Sequence, residues 1–119
     1  MDYLGYIIFA GVVLLLVLRM MPTKGVKQIT TSQLKSYLDN KNIQFIDVRT
    51  PGEYKGNHIR QFKNIPLHQL NQKLGDLSKE KEVVVICQSG MRSNNASKIL
   101  KKAGFKSVIN VKGGMSAWS

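Results

Sequence analysis

The stretch that decides the fold reads Val83-Val84-Val85-Ile86-Cys87-Gln88-Ser89-Gly90-Met91-Arg92-Ser93. Its first four residues are apolar throughout and, with Glu82 before them, predict a strand over residues 82–86 that is buried on both faces, as in a parallel sheet covered by helices. The polar residues that follow, with a glycine among them, predict a tight loop. Residues 93–103 then predict a helix that ends at Gly104. A strand, a loop and a helix in this order indicate an α/β domain.

The same alternation extends to both sides of this stretch. Residues 43–48 predict a second buried strand, and residues 108–111 predict a third. Thr50, Pro51 and Glu53 have the spacing of a capping box, which starts a short helix. The sequence therefore predicts a three-layer α/β domain around a central, mainly parallel sheet. Ligands of such sheets bind beyond the carboxyl ends of the strands.

The N-terminal run over residues 3–18 has no charged side chain and is almost entirely apolar. Counted on to Met21, a helix would rise about 28 Å, close to the ~30 Å hydrocarbon thickness of a bilayer. We therefore predict a single transmembrane helix in residues 3–21. A cleaved secretory signal is the main alternative, but the start at Met1-Asp2 has no basic residue. A buried core helix or a surface-lying helix would show one apolar stripe, whereas this run is apolar all round.

The chain is accordingly divided into an anchor (residues 1–21), a juxtamembrane linker (residues 22–28) and one domain (residues 29–119). Basic side chains follow the apolar run, and the acidic Asp2 precedes it. The positive-inside rule then predicts a single-pass protein of the cell membrane, with the domain facing the cytoplasm.

The composition restricts the partners of the chain. It has 18 Lys plus Arg against 7 Asp plus Glu, a formal net charge of +11. We interpret this excess as a solvated surface, with attraction to anionic lipid as a second possibility. Nucleic-acid binding is not expected, because basic residues are not interleaved with aromatic ones in any known motif. A single cysteine excludes an intrachain disulfide framework and a four-cysteine zinc site.

The cysteine stands where a buried strand stops and a helix is about to begin. Helix N-termini present free N–H groups and a partial positive charge, which favour a thiolate. A short loop between Cys87 and Ser93 would aim several N–H groups at one point, and Arg92 would add to the positive field. This pattern predicts an exposed, ionised nucleophile in an anion cradle. The alternative is a buried cysteine that acts as a small apolar side chain.

Several motifs in this order resemble those of the rhodanese-like domain family. The motifs in the N-terminal half of the family's domain resemble residues 46–54, His58-Ile59 and Asn64-Ile65-Pro66. The family's active-site loop resembles residues 87–93. Lys112-Gly113-Gly114-Met115 and Trp118 resemble its C-terminal signature. The resemblance implies a rhodanese fold and a sulfurtransferase, in which Cys87 attacks a sulfane sulfur and becomes a persulfide. It implies a donor such as thiosulfate or a persulfide and a thiol or protein as acceptor, with no cofactor and no metal.

The resemblance also assigns roles within the loop. The backbone amides of the loop would hold the negative charge of the persulfide, and Arg92 would close the loop; the loop residues are Gln88, Ser89, Gly90, Met91, Arg92 and Ser93. Related phosphatases have a loop that is one residue longer, Cys-x5-Arg, so the Cys-x4-Arg spacing here favours sulfur over a phosphoryl group. A membrane-tethered binding module of the same fold, without turnover, is the alternative from another functional class.

Four further residues are candidates for supporting roles. For Asp47 and Arg49, a buried ion pair at the end of the first strand is preferred over contact with substrate. Glu53 is expected to cap its helix or to pair with Arg49. For His58, a structural role is preferred over general-base catalysis, because no partner motif accompanies it.

Overall fold

The structure, a computed structural model, describes residues 3–20 and 24–119. The helices are α1 (Tyr3–Met20), α2 (Thr31–Leu34), α3 (Pro51–Gly56), α4 (Leu70–Lys73) and α5 (Met91–Lys102). The strands are β1 (Lys27–Ile29), β2 (Gln44–Asp47), β3 (Lys63–Asn64), β4 (Val83–Ile86) and β5 (Val108–Val111). Short 3-10 helices occupy Leu67–Gln69, Leu74–Asp76 and Gly114–Ala117.

The strands form one five-stranded sheet in the order β1-β5-β4-β2-β3, and each neighbouring pair is parallel. Alternate residues of β4 enter two separate core clusters. Val84 and Ile86 pack in the cluster that contains Phe62, and Val83 and Val85 pack in the cluster that contains Leu100. A sheet with a core on each face is the middle layer of three, so the predicted α/β architecture and parallel sheet are confirmed.

The element boundaries differ from the predicted ones by one or two residues. The strand predicted over residues 43–48 covers Gln44–Asp47, and the helix predicted over residues 93–103 begins two residues earlier, at Met91. Gly104 follows this helix with a φ of +96°, as a helix-ending glycine should. The edge strands β1 and β3 were not predicted, because runs of three and two residues are too short to show a period.

The predicted transmembrane helix is not confirmed. Among the residues that the structure describes, no helix has both the length and the apolar character needed to cross a membrane. Helix α1 covers 18 residues of the predicted span, Tyr3–Met20. Residues 1–2 and 21–23, at the ends of the predicted anchor and the start of the linker, lie outside the described residues. The predicted membrane location and cytoplasmic orientation stay predictions.

The carboxyl ends of β2 and β4 lie side by side, which brings the two chemically distinctive segments of the sequence together. Asp47 is in register with Ile86, and the Val48 amide donates to the Ile86 carbonyl at 3.0 Å. The chain continues from these strand ends into Arg49 on one side and Cys87 on the other. Parallel pairing thereby places the side chains of both segments at the same edge of the sheet.

Candidate active site

The loop from Cys87 to Ser93 folds back around the sulfur of Cys87. The Gly90 amide donates a hydrogen bond to the Cys87 Sγ at 2.9 Å. The Ser93 Oγ lies 3.3 Å from the same sulfur and donates to the Gly90 carbonyl at 3.1 Å. Gly90 has a φ of +109°, a backbone conformation that residues with a Cβ rarely adopt, and it directly precedes α5. The loop therefore aims an amide N–H at the sulfur from the start of a helix, and the Ser93 Oγ accepts a hydrogen bond from the Cys87 thiol.

The predicted exposure of the thiol is wrong in this conformation. Cys87 is 0% exposed and belongs to the core cluster that contains Ala96 and Leu100. The loop covers the sulfur, because the Gly90 amide donates to it and the Ser93 Oγ accepts from it, so both groups face inward. Polar partners around a buried sulfur nevertheless distinguish Cys87 from a cysteine that only fills space in the core.

The C-terminal 3-10 helix holds the base of the loop. The Met115 amide donates to the Cys87 carbonyl at 2.8 Å, and the Ser116 amide donates to the Gln88 carbonyl at 2.9 Å. Gly114 fits against this backbone only without a side chain, since a Cβ at Gly114 would lie 2.2 Å from the Cys87 carbonyl oxygen. The second glycine of the predicted C-terminal signature, Gly114, is thus a direct structural support of the cysteine loop.

Arg92 joins the far end of the loop to α3. Its guanidinium forms two hydrogen bonds with the Glu53 carboxylate, at 2.7 Å and 2.9 Å. The bond from Arg92 is the main reason why the pKa of Glu53 falls to about 2, and the same bond raises the pKa of Arg92. Both side chains are about one third exposed. Glu53 also caps α3 by accepting from the Thr50 amide, as predicted, but its ionic partner is Arg92 and not Arg49.

Asp47 and Arg49 form the buried ion pair that the preferred interpretation predicts. Their shortest N–O distance is 2.8 Å, with side chains 0% and 3% exposed. Arg49 also donates to the Asn57 carbonyl at 2.6 Å and to the Gln88 side-chain oxygen at 3.3 Å. The pair therefore ties the end of β2 to the residue that follows the cysteine.

His58 lies at the end of α3 and contacts Tyr54. The two rings stack at a centroid distance of 3.8 Å, and the His58 Nδ1 lies 2.7 Å from the Tyr54 carbonyl oxygen. These contacts hold the imidazole against its own helix, which supports the structural interpretation of His58 over the general-base alternative.

A cleft of about 640 Å³ beside the loop was not predicted from the sequence. Its walls include the buried Asn110 of β5 and its neighbour Gln28 of β1. The available signal was Asn110 itself, a polar residue in the otherwise apolar strand Val-Ile-Asn-Val. Gln28 gave no signal, because β1 is too short to be recognised.

Comparison with known proteins agrees with this geometry. The family described as rhodanese-like domain matches residues 30–119. The putative sulfurtransferase YtwF of Bacillus subtilis is 43% identical over 94 residues, which cover 78% of this chain and 90% of that protein. YqhL of the same organism, an uncharacterized protein, is 41% identical over 78 residues; the match covers 66% of this chain and only 62% of YqhL. Other relatives are named sulfurtransferase, at 32% identity, and thiosulfate sulfurtransferase GlpE, at 30%.

The similarity extends to solved structures. The crystal structure of a rhodanese-like domain protein from Staphylococcus aureus superimposes with a TM-score of 0.73 at 35% sequence identity, and covers 79% of this chain and 92% of that chain. Sequence, fold and the loop around the cysteine therefore agree, and the chain belongs to the rhodanese-like domain family.

Proposed function

We propose that the protein transfers a sulfane sulfur from a donor, thiosulfate or a persulfide, to a thiophilic acceptor through a persulfide on Cys87. The observation that carries the proposal is the hydrogen bond that the Gly90 amide donates to the Cys87 sulfur at 2.9 Å. A hydrogen bond to the charged form of a group favours that form, so the Gly90 amide is suited to support a thiolate.

The enzyme class itself is given by the family and by relatives that bear sulfurtransferase names. The protein is a rhodanese-type sulfurtransferase. The proposal adds the carrier residue, the covalent intermediate and the classes of donor and acceptor.

In the first half-reaction, the Cys87 thiolate attacks the outer sulfur of thiosulfate. A new S–S bond forms on Cys87 while the S–S bond of thiosulfate breaks, and sulfite leaves with the bonding electron pair. The negative charge then resides on the outer sulfur of the persulfide. The Gly90 amide beside the N-terminus of α5 is suited to stabilise that charge, because this end of a helix carries a partial positive charge.

In the second half-reaction, an acceptor attacks the outer sulfur of the persulfide. The bond between the two sulfurs breaks, and its electron pair returns to Cys87 as a thiolate. The step regenerates the starting state with no net oxidation of the protein. It needs only one cysteine, which is the number that this chain contains.

Access to the sulfur requires the loop to open, because Cys87 is fully buried in this conformation. The Arg92–Glu53 ion pair lies at the far end of the loop and is about one third exposed, so water can replace its hydrogen bonds. The Cys87 and Gln88 carbonyls are held by Met115 and Ser116 at the other end. We therefore expect the loop to open from the Arg92 end while its base stays in place.

The test is mass spectrometry of the intact protein after incubation with thiosulfate. We expect one added sulfur atom, located on the peptide that contains Cys87 and removed by a reducing thiol. The Cys87→Ser variant should take up no sulfur. It is a close isostere, so its fold should stay intact, which circular dichroism would check.

Two results would contradict the proposal. One is a folded wild-type protein that gains no sulfur from thiosulfate or from a low-molecular-mass persulfide. The other is equal turnover by wild type and Cys87→Ser, which would assign sulfur transfer to a different group.

A further inference from the structure

The cleft beside the loop is formed by five parts of the chain: β1, the loop, α5, β5 and the residues after β5. Its volume of about 640 Å³ lies within the range of roughly 300–1,000 Å³ that is usual for small-molecule sites. Its lining includes Gln28 of β1, Gly90 of the loop, Lys98 of α5, Asn110 of β5 and Lys112 after β5. Gly90 also donates its amide to the Cys87 sulfur, so a single residue of the loop contacts both the thiol and the cleft.

Two carboxamides in the wall of this cleft are incompletely paired. Gln28 and Asn110 are register partners on adjacent strands, and the Asn110 Nδ2 donates to the Gln28 Oε1 at 2.9 Å. The Gln28 Nε2 and the Asn110 Oδ1 are both buried, yet they have no hydrogen-bond partner within the described part of the chain. Asn110 is only 4% exposed. Unpaired buried polar groups are costly to a fold, so in a native structure they point to a missing partner.

The unpaired groups are one donor and one acceptor. An amide group of a ligand offers the complement, because its carbonyl accepts and its N–H donates. At the same cleft, Lys98 of α5 and Lys112 after β5 are exposed and positively charged. They favour a negative group on the ligand, and a carboxylate meets that requirement.

We propose that this cleft binds the sulfur acceptor and that the acceptor is a low-molecular-mass thiol carrying an amide and a carboxylate. The proposal rests on the persulfide mechanism above. The acceptor amide pairs with Gln28 and Asn110, and its carboxylate lies near Lys98 and Lys112. Its thiol group is then held at the Gly90 wall, from which the loop opens onto the persulfide.

The transfer step balances without another reactant. The acceptor thiol passes its proton to the anionic outer sulfur of the Cys87 persulfide, and the resulting thiolate attacks that sulfur and forms a new S–S bond with it. The S–S bond to Cys87 breaks, and its electron pair stays on Cys87 as a thiolate. The proton remains on the transferred sulfur, so the product is the acceptor persulfide.

Three thiols distinguish recognition of the amide from recognition of the carboxylate. N-acetylcysteine carries the amide and the carboxylate, N-acetylcysteamine lacks the carboxylate, and 3-mercaptopropionate lacks the amide. The measured quantity is kcat/KM for each acceptor with thiosulfate as donor. Because the thiols differ in intrinsic reactivity, each variant is compared with wild type for the same thiol.

The double variant Lys98→Gln/Lys112→Gln should lower kcat/KM about tenfold for N-acetylcysteine and for 3-mercaptopropionate. It should change the value for N-acetylcysteamine by less than about twofold. Gln28→Leu should instead lower kcat/KM for the two thiols that carry an amide and leave the value for 3-mercaptopropionate unchanged. Lys41→Gln is the matched control, since Lys41 is an exposed lysine before β2, at the opposite end of the sheet.

The amount of sulfur loaded onto Cys87 by thiosulfate is measured in every variant. If the lysine double variant loads sulfur normally and its kcat/KM equals that of wild type for each thiol, the proposed acceptor site is refuted while the persulfide mechanism stands. Failure of loading in wild type would instead refute the proposed function. The lysine substitutions are on the surface, so this test does not depend on whether Gln28→Leu folds.

Discussion

Replacement of Gly114 by alanine tests how the cysteine loop is held. A Cβ at this position would lie 2.2 Å from the Cys87 carbonyl oxygen and 2.9 Å from two backbone carbon atoms of Cys87 and Gln88. Neither neighbour can move aside as a flexible side chain could, because both are backbone. The 3-10 helix at Gly114–Ala117 must therefore shift away from the loop.

The magnitude follows from two contributions. Gly114 has a φ of +56°, and a residue with a Cβ in the left-handed region costs about 1–2 kcal/mol. The shift also breaks the bonds from Met115 to Cys87 and from Ser116 to Gln88, each worth about 1 kcal/mol. We expect Gly114→Ala to lower the free energy of unfolding by about 3–4 kcal/mol.

Gly104→Ala is the matched control. Gly104 also has a positive φ, +96°, but its added Cβ would meet no atom within 4 Å. It should therefore cost only the backbone contribution, about 1–2 kcal/mol. The difference between the two variants isolates the clash and the loss of the two hydrogen bonds.

Urea unfolding followed by circular dichroism measures both values. With an m value of about 2 kcal/mol per M, the midpoint should fall by about 1.5–2 M for Gly114→Ala. For Gly104→Ala the same m value gives a fall of about 0.5–1 M. Gly114→Ala should also speed alkylation of Cys87 in native buffer, because the base of the loop is released. Equal midpoints and equal alkylation rates in the two variants would refute the view that Gly114 supports the loop.

Three further substitutions test other contacts of the site. Glu53→Gln should speed alkylation of Cys87 at pH 7, since it weakens the Arg92 anchor. Folding lowers the pKa of Glu53 from 4.5 to about 2, so the stabilisation by its carboxylate is complete above pH 4.5 and is lost as the pH falls towards 2. The difference in the free energy of unfolding between wild type and variant, measured by urea titration, should therefore close over that pH range. A difference that stays constant with pH would contradict the ion pair. Asp47→Asn should lower the free energy of unfolding by about 3–5 kcal/mol in thermal or urea unfolding, because it leaves the Arg49 charge buried without its partner. A loss below about 1 kcal/mol would refute this, since that is the contribution of an exposed ion pair. His58→Ala should leave kcat for sulfur transfer within about twofold of wild type, and a loss of a hundredfold or more would restore the general-base alternative.

The sequence was sufficient for the central part of the fold. Val83–Ile86 is apolar at each position, which requires cover on both faces and so predicts a parallel sheet. The capping box at Thr50 and Glu53 and the terminating Gly104 are local signals, because each depends on residues no more than a few positions apart. All of these were found as predicted.

The contacts of the candidate site depended on long-range packing. The sequence suggested Arg49 as an ionic partner of Glu53, whereas the structure pairs Glu53 with Arg92, 39 residues further along the chain. Nothing in the local spacing encodes that distance. The burial of Cys87 was also missed, because a polar loop after a strand does not show whether it folds outward or back over the sulfur.

By itself, the sequence determined the α/β class, the parallel sheet and the cysteine loop at the end of a strand, because periodicity, caps and loop residues are local properties. Only the tertiary structure decided which charges pair, how Gly114 fits against Cys87 and that Gln28 and Asn110 meet in a cleft. Those features arise where parallel strands and helices from distant parts of the chain come within a few ångströms of one another, and their geometry depends on packing rather than on spacing along the chain.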